Sequence, residues 1–446
     1  MSTDVSPRRR REVIDALRRG TVPAAGLDLL AVGLERFVPA FDADLDAVAA
    51  GGSAFKAIRG EYGAGKTFVT RFLAERALRR GMATAEVQIS ETETPLHKLE
   101  TVYRRVGESL RTASFPPSAL RPVLDSWLYT LESDAASLNP SLAAGSAVLD
   151  EAVLTLLEQR LAAVSARTPA FAQALRAYRS AVVAGDLTAA DALGGWLGGQ
   201  PHVAGAAKRA AGIRGELDHF GAMGFLQGLL TVLRDAGHPG LLLVLDEVET
   251  LQRVRGDVRD KALNALRQLV DEVDSGRFPG LFLVITGTPA FYDGPSGVPR
   301  LAPLAQRLAT DFSTDARFDN PRAVQLRLPG FDLAALTALG AKVRDLFAGG
   351  AGDPDRLTRA VDDGYLGDLA GAVSGSLGGR VGVAPRVFLK KLVGDVLDRV
   401  DLYEDFNPRR DYALIMSATE LTDVERESAS LSVAPAARAD DVQLDL

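Results

Sequence analysis

The residues best suited to chemistry form one uninterrupted string, Gly60-Glu61-Tyr62-Gly63-Ala64-Gly65-Lys66-Thr67, with Phe68 directly behind it. It fits the pattern G-x-x-x-x-G-K-[ST] at every fixed position. Glycines let the backbone turn its N–H groups inward, and a following helix aims its positive end at the same point. Such a loop cradles the phosphates of a nucleoside triphosphate. Lys66 would reach the β- and γ-phosphates, and Thr67 would offer its hydroxyl to Mg2+. A plain glycine-rich turn would leave the Lys-Thr pair a coincidence.

A second group lies far along the chain. The run LLLVLDEVE closes an apolar segment with Asp246 and Glu247, then Glu249. In an open parallel sheet, ligands bind beyond the carboxyl ends of the strands, so a carboxylate there faces the ligand. Asp246 would hold Mg2+ directly or through water, and Glu247 would orient and polarise the attacking water as a general base. A pair of charges serving a helix dipole is the structural alternative, and Glu249 reads as a surface or supporting residue. The next apolar segment ends in Thr286-Gly287-Thr288-Pro289. Thr286 or Thr288 could stand beside the γ-phosphate and the water, with Thr288 the chosen candidate; turn chemistry is the alternative.

Charge on a transferring phosphoryl group calls for an arginine, often from a neighbouring subunit. Arg300, Arg307, Arg317 and Arg322 follow the threonines, and Arg307, in LAPLAQRL, ranks first. Arg386, in GVAPRVFLKKLV, opens a late helical pattern and would reach back to the nucleotide from a lid.

These residues need elements to position them. AFKAIR (54–59) reads as a strand running into the loop, and residues 67–80 have helical spacing. TAEVQIS (84–90) alternates like a strand, whereas 241–247 and 281–288 are continuous apolar runs of the kind covered by helices on both faces. Residues 324–331 are a fifth strand candidate, and 8–19, 26–49 and 258–273 read as helical. Between 91 and 237 there is no convincing strand, only Ala-, Leu- and Arg-rich helical patterns broken at prolines and glycines. The expected organisation is N-terminal helices at 1–50, a phosphate-loop α/β core at 51–331 holding the insertion 91–237, a helical lid at 332–423 interrupted by Gly371–Gly382, and a disordered tail at 424–446.

Composition narrows the function. The chain of 446 residues has no cysteine, which excludes disulfides and thiol catalysis, and its four histidines form no metal-binding pair. No stretch approaches the roughly 18 apolar residues of a membrane span. No apolar signal core follows Arg8–Arg11, and a cytoplasmic protein is expected. Net charge is −7, unlike a DNA-coating protein. The arginine run is either a solvated helix start or a nucleic-acid contact. No N-K-x-D motif stands where a GTPase would place it, which favours adenine.

Five strand candidates, the acidic pair, the polar strand end and the late Pro-Arg helix together resemble the AAA+ ATPases, most of all their initiator and origin-recognition group. That resemblance implies a five-stranded parallel sheet in the order 5-1-4-3-2 with a C-terminal helical lid. The segments ALRRGTVPAAGLDLLAVGLERF, IRGEYGAGKTFVTRFLAERA, LLLVLDEVETLQR and APRVFLKKLV are similar to the BREX phage-defence ATP-binding proteins, the family of BrxD and its relatives. This likeness spans about residues 10 to 400, and RRGTVP is its more specific part. It implies ATP and Mg2+, nucleotide-dependent assembly of a homo-oligomer, and contact with DNA or a DNA helicase. It also sets Thr21–Pro23 at the adenine pocket. Two features depart from the pattern. The insertion exceeds a minimal AAA+ connection, and little of this sequence follows the lid, so DNA binding through a C-terminal winged helix is not expected. The insertion is then the expected partner surface. Two other classes compete: a slow-turnover signal-transducing NTPase switch, and a small-molecule kinase, which the absence of clustered acceptor-binding arginines disfavours.

Overall fold

The computed structural model describes residues 5–376 except 142 and 144, then 385–414 and 426. Along the chain, α1 (Pro7–Arg18) and α2 (Val38–Ala49) precede β1 (Ala54–Arg59), α3 (Lys66–Arg79) and β2 (Ala83–Gln88). Then come α4 (Leu99–Ser109), α5 (Leu120–Leu138), α6 (Ala147–Arg167), α7 (Pro169–Val183), α8 (Leu187–Leu197), α9 (Gly205–Ala210) and α10 (His219–Asp235). After β3 (Leu241–Asp246) follow α11 (Gly256–Asp274), β4 (Leu281–Gly287), α12 (Pro289–Asp293), α13 (Ala302–Leu308) and β5 (Gln325–Arg327). The chain continues with α14 (Leu333–Ala348), α15 (Pro354–Ala360), α16 (Asp363–Ser376) and α17 (Pro385–Lys390), which runs into a π-helical turn, Lys391–Leu397.

Two compact units result. The first comprises Pro39–Arg59 and Arg76–Leu326. Its strands take the order β2-β3-β4-β1-β5, which is the expected 5-1-4-3-2 read from the other edge. The β2–β3, β3–β4 and β4–β1 pairs are parallel. Every residue of β3 and β4 is buried, as unbroken apolar runs require. Alternation sends Ala57, Leu243, Leu245, Leu283 and Ile285 into one core with α11 and the insertion helices α4–α8 and α10. Phe225 of α10 centres that insertion, with Tyr103, Phe171 and Trp196 edge-on to it at 5.0–5.7 Å between ring centres. Beside the sheet, α2 is held by Asp42 and Asp46, which pair with Arg76 and Arg80. A Cβ on Gly240 would meet Val48 of α2 at 3.0 Å, so glycine there admits the helix.

The second unit comprises Met1–Val38, Gly60–Glu75 and Arg327–Leu446. Ser6 caps α1 by accepting from Arg9 N–H, and Pro7 takes the first helical position, where no donor is needed. Gly20, at φ +71°, ends the helix as the sequence indicates. Val13, Ile14 and Leu17 share a core with Leu336, Leu339 and Val343 of α14, and with Val387, Phe388 and Leu392.

Several boundaries differ from the sequence reading. Residues 26–49 are not one helix; a 3-10 turn at Leu27–Leu29 precedes α2. The fifth strand contracts to three residues. The glycines after Gly371 do not stop α16, which continues to Ser376. Residues 377–382 of the expected interruption, and the expected tail 424–446 apart from Arg426, lie outside the described residues.

Candidate functional site

The glycine-rich string belongs to the second unit. Gly63 and Gly65 have φ of +80° and +89°, a region that favours glycine. Between them the chain turns, Ala64 N–H donating to Glu61 O at 3.1 Å, and α3 starts at Lys66. Gly60 is glycine for space: a Cβ would lie 3.1 Å from that of Ala64. Lys66 is buried, its Nζ donating to Gly60 O at 2.9 Å and Glu61 O at 3.3 Å, 5.0 Å from the centre of the Tyr62 ring. The loop thus concentrates a buried ammonium and a helix N-terminus in one place, which suits an anion.

The same unit gathers the N-terminal segment around α3. Arg71 donates to Val22 O at 3.2 Å, and the Glu75 carboxylate accepts from the Gly26 and Leu27 amides at 3.2 and 3.0 Å. Thr21–Pro23 is thereby fixed beside the helix that follows the loop. Phe68 and Phe331 each pack against the core of this unit. Arg386, half-buried on α17, lies by the same segment: a Cβ on Gly20 would stand 3.5 Å from its Nη1 and 3.4 Å from Lys390 Cδ.

The acidic pair belongs to the first unit. Asp246 ends β3 at 6% exposure and accepts at Oδ1 from the Thr286 hydroxyl and, at 3.1 Å, from the Glu247 amide. That amide also donates to Thr286 Oγ1 at 3.1 Å. Alternation puts Asp246 and Thr286 on the same sheet face, and the β3–β4 register sets them side by side. Glu247 adopts φ +60°, ψ +42°, the left-handed conformation that costs an L-residue roughly 1–2 kcal/mol. Its carboxylate accepts from Gln88 Nε2 at 2.9 Å. Backbone strain held by neighbours on both sides is characteristic of functional positions.

Thr288 is buried at the N-terminus of α12. Of the two threonines, Thr286 is the one bonded to the acidic pair. Glu249, read from sequence as a surface or supporting residue, is buried at 4% exposure. Arg307 projects from α13 with its side chain 53% exposed, Nε 2.8 Å from Asp271 Oδ1. That bond raises its pKa further. Arg300 pairs with Asp260, and Arg317 lies 3.5 Å from Asp315. Gln88 was missed by sequence reasoning because a polar residue closing an alternating strand looks like ordinary surface.

Among the described residues no group of three or more His, Cys, Asp or Glu is arranged to hold a metal ion. Asp246 nonetheless fits magnesium, which takes one or two carboxylates and completes its shell with waters and phosphates. Among the described residues no helix is long and apolar enough to cross a membrane.

Fold and site together define an α/β protein with an open parallel sheet, polar strand tips and a glycine-rich anion loop following β1. The chain belongs to the BREX system ATP-binding protein BrxC/D family, whose model matches residues 5–416. It is therefore an ATP-binding protein of a phage-defence system. Compared with curated proteins, it matches none.

Proposed function

We propose that the chain is an ATPase of the AAA+ class, with Gly60–Thr67 as its P-loop. In this reading Lys66 binds the terminal phosphates, Phe68 and the rest of the loop position them, and Thr67 and Asp246 are the ligands of Mg2+. The metal supplies charge neutralisation on the phosphate oxygens. Glu247 orients and deprotonates the attacking water, with Gln88 fixing one carboxylate oxygen so that the other points to the water. Thr286 aligns Asp246, and Thr288 contacts the γ-phosphate. Arg386 engages the bound nucleotide from the C-terminal helices. Arg307, exposed on α13, completes the site of an adjacent copy in a homo-oligomer. Assembly of this kind would act in the cytoplasm on DNA or on a DNA helicase partner of the defence system.

One observation carries hydrolysis over binding alone: Glu247, a non-glycine residue in a left-handed turn, is held there by two amide bonds and one side-chain bond. A merely structural charge at a strand end needs no such strain. The test is steady-state turnover and ATP binding in Glu247→Gln. The expected result is retained binding with turnover reduced by about 10²–10⁴-fold. Retained turnover would remove Glu247 from its role, and barely measurable turnover in the unaltered chain would favour a slow nucleotide switch.

A further inference from the structure

We propose that Arg59 is a positioning residue for hydrolysis, tying α12, and with it Thr288, to the tip of β1. Arg59 is the last residue of β1, one before the phosphate-binding string, and it is 8% exposed. Both of its Nη groups bond the Asp293 carboxylate on α12, Nη1 donating to Oδ1 at 3.2 Å. Its guanidinium carbon lies 5.7 Å from the centre of the Tyr292 ring and 4.9 Å from that of Phe312. Opposite Arg59 in the ladder stands Gly287. A Cβ there would meet Tyr292 Cε2 at 3.1 Å and Phe291 Cδ1 at 3.2 Å, so α12 packs directly on the strand end. Tyr292 is itself buried, with no hydrogen-bond partner for its hydroxyl among the described residues. Burial and then the field of Glu249 push that hydroxyl's pKa up, while Arg59 opposes them.

Burying a guanidinium to hold a five-residue helix is a poor route to stability, since apolar residues of similar volume do as well or better. A fork of two parallel bonds fixes direction, which apolar packing does not. Direction matters here because Thr288 is the residue from which α12 starts. The partner carboxylate, 65% exposed, can be altered without opening the core.

This inference rests on the ATPase reading. The experiment compares full-length wild type, Asp293→Asn, Asp293→Glu and Arg59→Lys by kcat, KM, affinity for a fluorescent ATP analogue, and thermal melting. Asp293→Asn should lower kcat by about 10- to 10²-fold, the scale of a small misplacement of reacting groups, with KM and affinity nearly unchanged. Asp293→Glu should recover most of the rate, and Arg59→Lys, which lacks the fork, should not. An unchanged kcat in Asp293→Asn overturns the inference alone. So does a kcat loss tracking affinity and melting together without rescue by Asp293→Glu. Absence of turnover in the wild type overturns the ATPase reading and this inference with it.

Discussion

Replacing Glu247 separates the strain of the strand tip from its chemistry. Its φ of +60° is one of two positive values at non-glycine residues among those described, the other being Ser118. An L-residue in this conformation costs roughly 1–2 kcal/mol. Glycine escapes that cost but gives back about 0.4–1 kcal/mol through the larger entropy of its unfolded chain. Glu247→Gly should therefore be more stable than Glu247→Ala by about 1 kcal/mol, the reverse of the usual order at ordinary backbone positions. The two variants lose the same bond from Gln88, so that term cancels in the comparison. A gap of this size corresponds to about 2 °C in the melting midpoint for a folded unit of a few hundred residues. Both variants should lose turnover as Glu247→Gln does, by about 10²–10⁴-fold. The assay pairs thermal melts with phosphate release at saturating ATP. An alanine variant as stable as the glycine variant would show that no strain is stored there, and would withdraw the main support for a catalytic Glu247.

Lys66→Ala removes the buried ammonium from the loop, and ATP affinity measured by calorimetry should fall by about 10- to 10²-fold, the worth of one or two bonds to a charged group. Thr286→Val deprives the buried Asp246 of its hydroxyl donor and should destabilise the chain by about 1–3 kcal/mol in urea titration while lowering turnover. Arg307→Ala should leave the melt in place, because the lost pair with Asp271 is at the surface, yet reduce the part of turnover that rises with protein concentration; concentration-independent turnover at full rate would rule out action in trans. Burial pushes the Asp42 carboxyl up, but Arg76 and Arg80 outweigh it and hold its pKa below the usual carboxylate value. Its contribution to stability is thus complete above the unfolded value of about 3.9 and is lost as pH falls through the lower folded value. Asp42→Asn should accordingly melt below wild type at neutral pH, with the difference closing below about pH 4.

The turn at Gly63 and Gly65 and the helix that starts at Lys66 were legible because they are local: the sequence states the spacing of the glycines, lysine and threonine. β3 and β4 were legible for a related reason, since an unbroken apolar run has few other ways to be buried, and β2 was legible from its alternation. What escaped depended on partners distant in sequence. β5 keeps three of the eight residues expected because only that much of the segment pairs at the sheet edge. Gln88, Thr286 and Glu247 are separated by up to 198 positions, and nothing in their own surroundings announces that one holds another. Arg59 reads in sequence as the polar end of a strand, and its burial against Tyr292 and Phe312 is visible only once α12 has folded onto Gly287.

By itself, then, the sequence determined that a glycine-rich loop follows a strand, and that a second buried strand ends in a pair of carboxylates. Local backbone freedom and the hydrophobic effect need no information from elsewhere in the chain to impose those features. Only the tertiary structure decided which neighbours bend Glu247 into its left-handed turn, which donor holds Asp246, and that Glu249 and Arg59 are inside. Hydrogen bonds and ion pairs are short-ranged and directional, so their partners are set by strand register and helix packing, which the order of residues implies only through the whole fold.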